Sequence, residues 1–173
     1  MSAPQAQRDA AVVLQQRAAA LARAKSPEQD GTLLQVLEFN IAGQDCALEL
    51  RWLREVRPLR GVVELPHAAP GVIGVAHVRG RMLALLDIAP LLGLPAGRVP
   101  AEGALLVVGA EAPAFALAAD GVGALRGIAP RDVEHRSAPL AAVRPDSAIG
   151  ITASGHLLLD GAWLIRNFKD FPG

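Results

Sequence analysis

The chain has 173 residues, 51% of them apolar, and its 17 basic side chains are balanced by 17 acidic ones. A chain without net charge does not attract a polyanion, and only 3% of its residues are aromatic, so it lacks the stacking surfaces that single-stranded nucleic acid requires. No apolar stretch reaches the roughly 20 residues of a spanning helix, and no signal-peptide pattern opens the chain. The single cysteine, Cys46, cannot form an internal disulfide. Composition therefore predicts a reduced, cytoplasmic protein that does not bind nucleic acid.

Residues 1–32 differ from the rest, because Ala, Gln and Arg dominate them and turn-forming residues close the segment at 26–31. Four apolar residues at helical spacing predict an amphipathic helix with a thin apolar stripe, namely Ala10, Leu14, Ala18 and Leu21. The segment is thus predicted to be an N-terminal helical extension and linker. Two alternatives stay open: an exposed or folded-back helix, and a helix that docks on a partner.

From residue 33 onward, short runs of branched apolar residues are separated by turn residues, which is typical of small barrels. The first strands are predicted at 33–41, 46–50, 62–65, 72–78 and 82–87, and Asp87 is placed to cap a short helix. The later strands are predicted at 104–109, 114–118, 122–128, 148–152 and 156–159, and Asp160 caps a helix ending near residue 167. The polar, proline-bearing segment 131–146 is interpreted as a long connection.

One motif occurs twice in the chain, at a period of about 75 residues. The first copy reads Ile73-Gly74-Val75, Gly80 and Leu85-Leu86-Asp87; the second reads Ile149-Gly150-Ile151, Gly155 and Leu158-Leu159-Asp160. The repeat predicts two similar halves, about 33–98 and 99–168. The copies differ before the glycine of the turn, where the first carries Arg79 and the second Ser154.

Residue patterns that would carry catalysis or bind a metal are missing from the sequence. The four histidines are dispersed, without zinc-ligand spacing, so no metal site and no cofactor are predicted. Ser154 and His156 lie in a predicted turn, where their side chains are expected to point apart rather than form a catalytic pair. Cys46 is interpreted as a small core residue. The absence of a catalytic set favours a binding protein over an enzyme.

Two charged residues lie among apolar neighbours and have no evident structural role. Arg79 is at the tip of two apolar strands, in a turn with Gly80, and Glu55 follows Leu53-Arg54. An arginine can pair bidentately with a carboxylate, so the two residues can pair with each other or contact a partner. The sequence leaves both interpretations open.

These residues, taken in order, resemble the CheW-like family of adaptors that couple chemoreceptors to the histidine kinase CheA. The resemblance covers about residues 33–168 and rests on an ordered set of short motifs rather than on any single one. The motifs include Leu53-Arg54-Glu55-Val56, Leu65-Pro66, Val72-Ile73-Gly74-Val75, Val78-Arg79-Gly80, Leu86-Asp87-Ile88, Ala119-Asp120-Gly121-Val122 and Ile149-Gly150-Ile151.

The resemblance implies an all-β fold of two SH3-like five-stranded β-barrels with short helices. It implies a non-catalytic adaptor that binds the regulatory domain of CheA and the cytoplasmic tip of a methyl-accepting chemoreceptor, with other CheW-like proteins as further candidate partners. The protein would then be recruited to membrane-associated receptor arrays. By position, the receptor-binding residues are Leu53, Glu55 and Arg79, and the kinase-binding residues are Val62 and Gly74.

Three departures from the family pattern favour a specialised adaptor of an alternative chemosensory system: His77-Val78 replaces a usual Asn-Leu, Cys46 replaces a common Tyr, and the predicted N-terminal helix lies outside the family pattern. Two other functions are weighed against the adaptor. One is a regulatory or decoy module that binds only the receptor or only the kinase. The other is a small barrel enzyme or ligand carrier with a pocket on which His77, Glu55 and Arg79 converge.

Overall fold

The computed structural model of the protein describes residues 33–66, 68, 71–97, 99–135 and 145–168. The N-terminal helix predicted within residues 1–32 lies outside these residues. The described chain forms twelve strands and one short α-helix, α1 (Gly161–Asn167). The strands are β1 (Leu34–Ile41), β2 (Gln44–Glu49), β3 (Leu53–Pro58), β4 (Val62–Glu64), β5 (Val72–Val78), β6 (Arg81–Leu86), β7 (Ala104–Val108), β8 (Phe115–Ala119), β9 (Gly121–Ile128), β10 (Val133–Glu134), β11 (Ala148–Thr152) and β12 (Leu157–Leu159).

The strands form two sheets, and the fold is all-β with two SH3-like barrels, as predicted. Barrel 1 has the strand order β4-β5-β6-β8-β7-β3, and barrel 2 has the order β10-β11-β12-β2-β1-β9. The two orders match position by position. Each barrel contains one parallel pair at the same place, β6 with β8 and β12 with β2. Each sheet has six strands rather than the predicted five.

The sequence halves 33–98 and 99–168 correspond to the repeated units, but they are not the two barrels, and this part of the prediction needs correction. The hairpin β1–β2 of the first half pairs with β9 and β12 of the second. The hairpin β7–β8 of the second half pairs with β3 and β6 of the first. Each half therefore donates its leading hairpin to the barrel of the other half.

The exchanged hairpins are buried on both faces, because one face lines a barrel and the other lines the junction between barrels. Every residue of β7 and β8 is buried. Along β7, Leu105 and Val107 face the interior of barrel 1, whereas Leu106 and Val108 belong to the central cluster that both barrels share. The central cluster includes Leu37, Phe39, Leu48, Leu53, Val56, Leu86, Leu106, Val108, Phe115, Leu117, Leu157, Leu159 and Leu164. Continuous apolar runs are typical of strands buried on both faces.

A glycine on the second strand of each of these orders, β5 in barrel 1 and β11 in barrel 2, lets a neighbouring backbone approach closely. A Cβ on Gly74 would lie 2.7 Å from the carbonyl oxygen of Val63, and one on Gly150 would lie 2.4 Å from that of Glu134. Both glycines lie at a register shift between the strand and its hairpin partner. Bulges of this kind bend a strand and increase its twist. The glycine of the repeated motif therefore admits the backbone of the neighbouring end strand, β4 or β10, at a bulge in each barrel.

The two repeated aspartates cap the segments that follow them, as predicted. The Asp87 carboxylate accepts hydrogen bonds from the backbone N–H of Ala89 (2.9 Å) and of Gly97 (2.6 Å). The Asp160 carboxylate accepts one from the N–H of Trp163 at 2.8 Å, at the start of α1. Free N–H groups at a helix start are commonly satisfied in this way.

Two strands were not predicted. β3 contains a register shift between Leu53 and Glu55, which breaks the alternation of apolar and polar residues that marks a strand in sequence. β10 has only two residues and lies within the segment interpreted as a connection.

We predict that Gly74→Ala and Gly150→Ala each lower the free energy of unfolding by about 1–3 kcal/mol, because the added methyl group overlaps a backbone carbonyl that cannot move freely. Gly121→Ala is the matched control, since a Cβ there meets nothing within 4 Å. Urea unfolding of the three variants measures the difference. Equal stability of all three would contradict the close approach at the bulges.

Candidate functional site

The described residues hold no cluster of three or more potential metal ligands. Cys46 is fully buried, and burial together with the neighbouring Asp45 carboxylate raises the pKa of its thiol to about 12. Since the thiolate is the reactive species, this cysteine is inert in the folded protein at neutral pH, as expected of a core residue.

Ser154 and His156 were expected to point apart, and the structure corrects this expectation. The Ser154 Oγ lies 3.0 Å from the Nδ1 of His156 and 3.2 Å from the Oε1 of Glu38. The side chains meet because the tight turn between β11 and β12 brings both over β1. Glu38 lies 3.7 Å from the same Nδ1 that Ser154 approaches. A catalytic triad needs the acid and the nucleophile on opposite ring nitrogens, so this cluster does not form one.

The bulge in β3 places Glu55 on the surface of barrel 1. Leu53 pairs with Val108 and Glu55 pairs with Val107, so a step of two residues along β3 matches a step of one residue along β7. In a regular strand, Leu53 and Glu55 would share a face; here Leu53 is buried in the central cluster while the Glu55 side chain remains 19% exposed. Of the predicted receptor-binding residues, Leu53 therefore supports the surface from beneath.

Arg79 and Glu55, which lie 24 residues apart, meet on this surface. The Nε of Arg79 is 2.8 Å from Glu55 Oε2, and the Nε of Arg57 is 3.6 Å from Glu55 Oε1. The Arg79 side chain is 79% exposed. The structure therefore shows the internal contact that the sequence left open. We call Glu55, Arg57 and Arg79 the ion-pair surface.

The turn that carries Arg79 has an unusual backbone. Val78 pairs with Arg81, which leaves Arg79 and Gly80 as a two-residue loop, with φ values of +47° and +78°. Both residues have positive φ, as in the type I′ turns that match the twist of a hairpin. Glycine adopts this conformation without steric cost, but arginine does not. Arg79 is held at a position where most chains would use Asn, Asp or Gly.

The predicted kinase-binding residues, Val62 and Gly74, are not themselves exposed. Val62 is half-buried against the interior of barrel 1, and Gly74 is buried. A neighbouring backbone approaches Gly74 closely, and it is that of Val63 in the same chain.

Next to them lies an exposed apolar surface on the outer side of β4, β5 and β6. Val63 is 58% exposed and Met82 is 61% exposed, whereas Val62 and Leu83, their neighbours in sequence, pack inward. Val63 pairs with Val75, and Met82 pairs with the exposed His77. β4 is the last strand of the sheet. We call Val63, Val75, His77 and Met82 the outer face of barrel 1.

Val63, Met82 and Arg57 were not identified from the sequence. Period-two alternation could have found the first two, because Val62, which packs inward, fixes the outward position of Val63 once β4 is known to be a strand. Alternation could not identify Arg57, because the bulge in β3 interrupts the sequence of inward and outward residues on that strand.

A cleft lies where the β1–β2 turn meets barrel 1. Its lining is mostly apolar and is formed by Ile41, Ala42, Ile73, Leu86, Asp87, Ile88, Ala89, Gly97, Val99, Pro100, Ala118 and Asp120. Both carboxylates are engaged, Asp87 as a cap and Asp120 by the N–H of Ala42 at 2.5 Å. His77, Glu55 and Arg79 do not line it. The convergent pocket expected of a carrier is not formed by this cleft.

The fold and the two surfaces define a class of protein: a twin-barrel module that carries an ion-pair surface and an apolar outer face. None of the helices among the described residues has the length and apolar character needed to cross a membrane.

The CheW-like domain family model matches residues 35–167, and the chain belongs to this family. The chain is similar to a chemotaxis protein CheW of Rhizobium meliloti (strain 1021), with 24% identity over 100 residues, or 58% of this chain and 64% of that protein. It is also similar to a probable chemotaxis protein CheW of Rhizobium etli, with 25% identity over 88 residues, or 51% and 57% of the two chains. The matches thus span about three fifths of these relatives.

Among solved structures, the fold is similar to that of the scaffolding protein TtCheW from Thermoanaerobacter tengcongensis. The TM-score is 0.63 at 16% sequence identity, and the match covers 75% of this chain and 90% of that one. At this identity the likeness supports the twin-barrel fold.

We predict that Arg79→Gly does not destabilise the protein. Relief of the left-handed backbone is worth about 1–2 kcal/mol, whereas an exposed ion pair contributes about 0–1 kcal/mol. Urea unfolding of this variant and of Glu55→Gln distinguishes the backbone cost at Arg79 from the contribution of the ion pair, because Glu55→Gln removes the ion pair but keeps the arginine. A loss of more than 1 kcal/mol in Arg79→Gly would show that the pair with Glu55 outweighs the backbone cost.

Proposed function

We propose that this chain is a non-catalytic chemosensory adaptor that couples chemoreceptor cytoplasmic tips to the regulatory domain of the histidine kinase CheA. The observation that carries the proposal is the match of nearly the whole described chain to the CheW-like family, on a fold that brings Glu55 and Arg79 together. The chemotaxis proteins to which the chain is similar support the same role.

The ion-pair surface is the proposed receptor contact. Arg79 presents a guanidinium that is held by Glu55 at one nitrogen and is otherwise exposed, and it occupies a strained turn that fixes where the charge points. Retention of arginine in a backbone conformation that favours glycine supports a functional role for its side chain. Leu53 contributes by packing beneath the β3 bulge that carries Glu55.

The outer face of barrel 1 is the proposed kinase contact. Val63 and Met82 are large apolar residues that the fold leaves exposed, and they adjoin Val62 and Gly74. An edge strand with an apolar side is typical of surfaces that pair with another β-structure. A CheA regulatory domain and further CheW-like proteins are the proposed occupants, and the interaction places the adaptor in membrane-associated receptor arrays.

For the receptor contact, we predict that Arg79→Ala abolishes receptor-dependent stimulation of CheA while leaving the melting temperature nearly unchanged. The measurement is kinase activity with receptor and CheA from the same cell. Arg81→Ala is the matched control, because Arg81 is an exposed arginine in the same hairpin. Full coupling by Arg79→Ala, or equal loss in both variants, would contradict the assignment.

For the kinase contact, we predict that Val63→Asp and Met82→Asp each weaken CheA binding at least tenfold by calorimetry, because a charge would be buried in an apolar interface. Leu33→Asp, at an apolar residue that is 52% exposed at the start of the described chain, is the control. Receptor binding by all three variants is measured in parallel. Binding to only one of the two partners by the unmodified chain would identify a decoy module instead.

A further inference from the structure

The sequence contains three sulfur atoms, in Met1, Cys46 and Met82. Met1 lies outside the described residues. Cys46 is fully buried, and burial raises the pKa of its thiol to about 12, so it presents no thiolate to an oxidant at neutral pH. Met82, in contrast, is 61% exposed. Within the described barrels, an oxidant arriving from solvent therefore meets one accessible sulfur atom, the thioether of Met82.

The sheet holds the Met82 side chain on the outside of barrel 1. Leu83, the next residue of β6, is 5% exposed and packs in the barrel interior. The pairing of β5 with β6 is regular from Gly74 to Val78, so no bulge alters the alternation of faces at Met82. Because neighbouring residues of a strand point to opposite faces, Met82 cannot turn into the interior that Leu83 occupies. Exposure of the thioether is thus a consequence of the fold.

The neighbours of Met82 on the outer face offer little to a polar atom. Met82 lies opposite His77, whose N–H donates to the carbonyl of Gly61 on the other side of β5 at 3.4 Å. The two residues therefore form a pair without backbone hydrogen bonds, in which side chains lie close together. Val75 shares the face with His77 and pairs with Val63. The valines have no hydrogen-bonding group in their side chains, and His77 is the single polar side chain of the outer face.

A thioether reacts with a peroxide in a two-electron step. A lone pair of the Met82 sulfur attacks one oxygen of hydrogen peroxide, and the sulfur–oxygen bond forms as the oxygen–oxygen bond breaks. The second oxygen leaves as hydroxide and takes the proton of the oxygen now bound to sulfur, so the products are a sulfoxide and water. Sulfoxide reductases reverse the change. In that step two thiols form a disulfide, and the oxygen leaves as water.

The sulfoxide would change the outer face without changing the core. Its oxygen is a hydrogen-bond acceptor that water satisfies while the face is exposed to solvent. When a partner covers the face, this water is excluded, and burial of an acceptor without a donor is disfavoured. Oxidation of a core methionine disrupts packing, but the Met82 side chain lies outside the barrel interior. The modification therefore acts on binding rather than on folding.

We propose that Met82 is a redox modification site, at which oxidation of the thioether by a peroxide prevents a partner from docking on the outer face of barrel 1. The inference rests on the proposed kinase contact, which makes CheA that partner. Reduction of the sulfoxide restores docking, so the modification is a reversible switch. Coupling to the kinase then responds to the oxidant level around the adaptor.

The test compares each protein with itself before and after treatment with hydrogen peroxide. The full chain is oxidised under native conditions, and catalase removes the peroxide before CheA is added. Peptide mass spectrometry measures the sulfoxide at Met82 and at Met1, and calorimetry measures CheA binding. We expect CheA affinity to fall about tenfold or more, because an unpaired acceptor is buried. The melting temperature should not change, and treatment with a sulfoxide reductase and dithiothreitol should restore the affinity.

Two variants separate Met82 from the other oxidisable residues. In Met82→Leu, peroxide can oxidise Met1 but not the outer face, so its affinity for CheA should be the same before and after treatment, whatever the starting value. Adding Leu33→Met to this variant places a thioether at a residue that is 52% exposed outside the outer face. Oxidation of that thioether should also leave the affinity as it was before treatment.

The proposal is overturned if the chain with fully oxidised Met82 binds CheA as tightly as the untreated chain, or if peroxide weakens binding by Met82→Leu equally. Resistance of Met82 to a peroxide concentration that oxidises free methionine would also overturn it. Failure of the proposed function gives a different result, because the untreated chain would then not bind CheA at all. In that case the kinase contact falls, and the switch that depends on it falls as well.

Discussion

The burial of two exchanged hairpins on both of their faces is the constraint on which the structure depends. β7 and β8 line barrel 1 with one face and the central cluster with the other, and β1 and β2 do the same for barrel 2. A residue removed from one hairpin therefore affects a barrel and the junction together. Large branched residues fill the junction, whereas alanines such as Ala47 and Ala116 line the narrow barrel interiors. This division accounts for a core rich in Leu, Val and Ala with few aromatic residues.

The sequence predicted those parts of the fold that are governed by local chemistry. The strand at 72–78 and the one at 148–152 were predicted with their observed bounds, because glycine and turn residues flank apolar runs there. The capping roles of Asp87 and Asp160 follow from the same local rules. The exchange of hairpins could not be predicted from periodicity, since the alternation of residues within a strand does not identify the strand with which it pairs.

The candidate site was harder to predict than the fold, for two physical reasons. The β3 bulge changes which residues face outward, so Leu53 is buried while the Glu55 side chain is 19% exposed, although the two residues would share a face in a regular strand. Gly74 was assigned to the kinase contact by its position in the family pattern, yet the backbone that approaches it closely is that of Val63 in the same chain. Among the predicted receptor-binding residues, Glu55 and Arg79 are in direct contact, and a pair this far apart in sequence needs a fold to bring it together.

The exchange of hairpins also relates this chain to a simpler assembly, a dimer of two shorter chains. Its connectivity is that of a symmetric dimer in which two short chains swap their first hairpins, with the end of one subunit joined to the start of the other by residues 93–103. In such a dimer the two surfaces would be identical. In a single chain the two halves can differ: the first has a longer hairpin tipped by Arg79, and the second has a shorter one that carries Ser154 and His156 beside Glu38. The covalent link therefore allows the two barrels to present different surfaces, which the two subunits of a symmetric dimer cannot do.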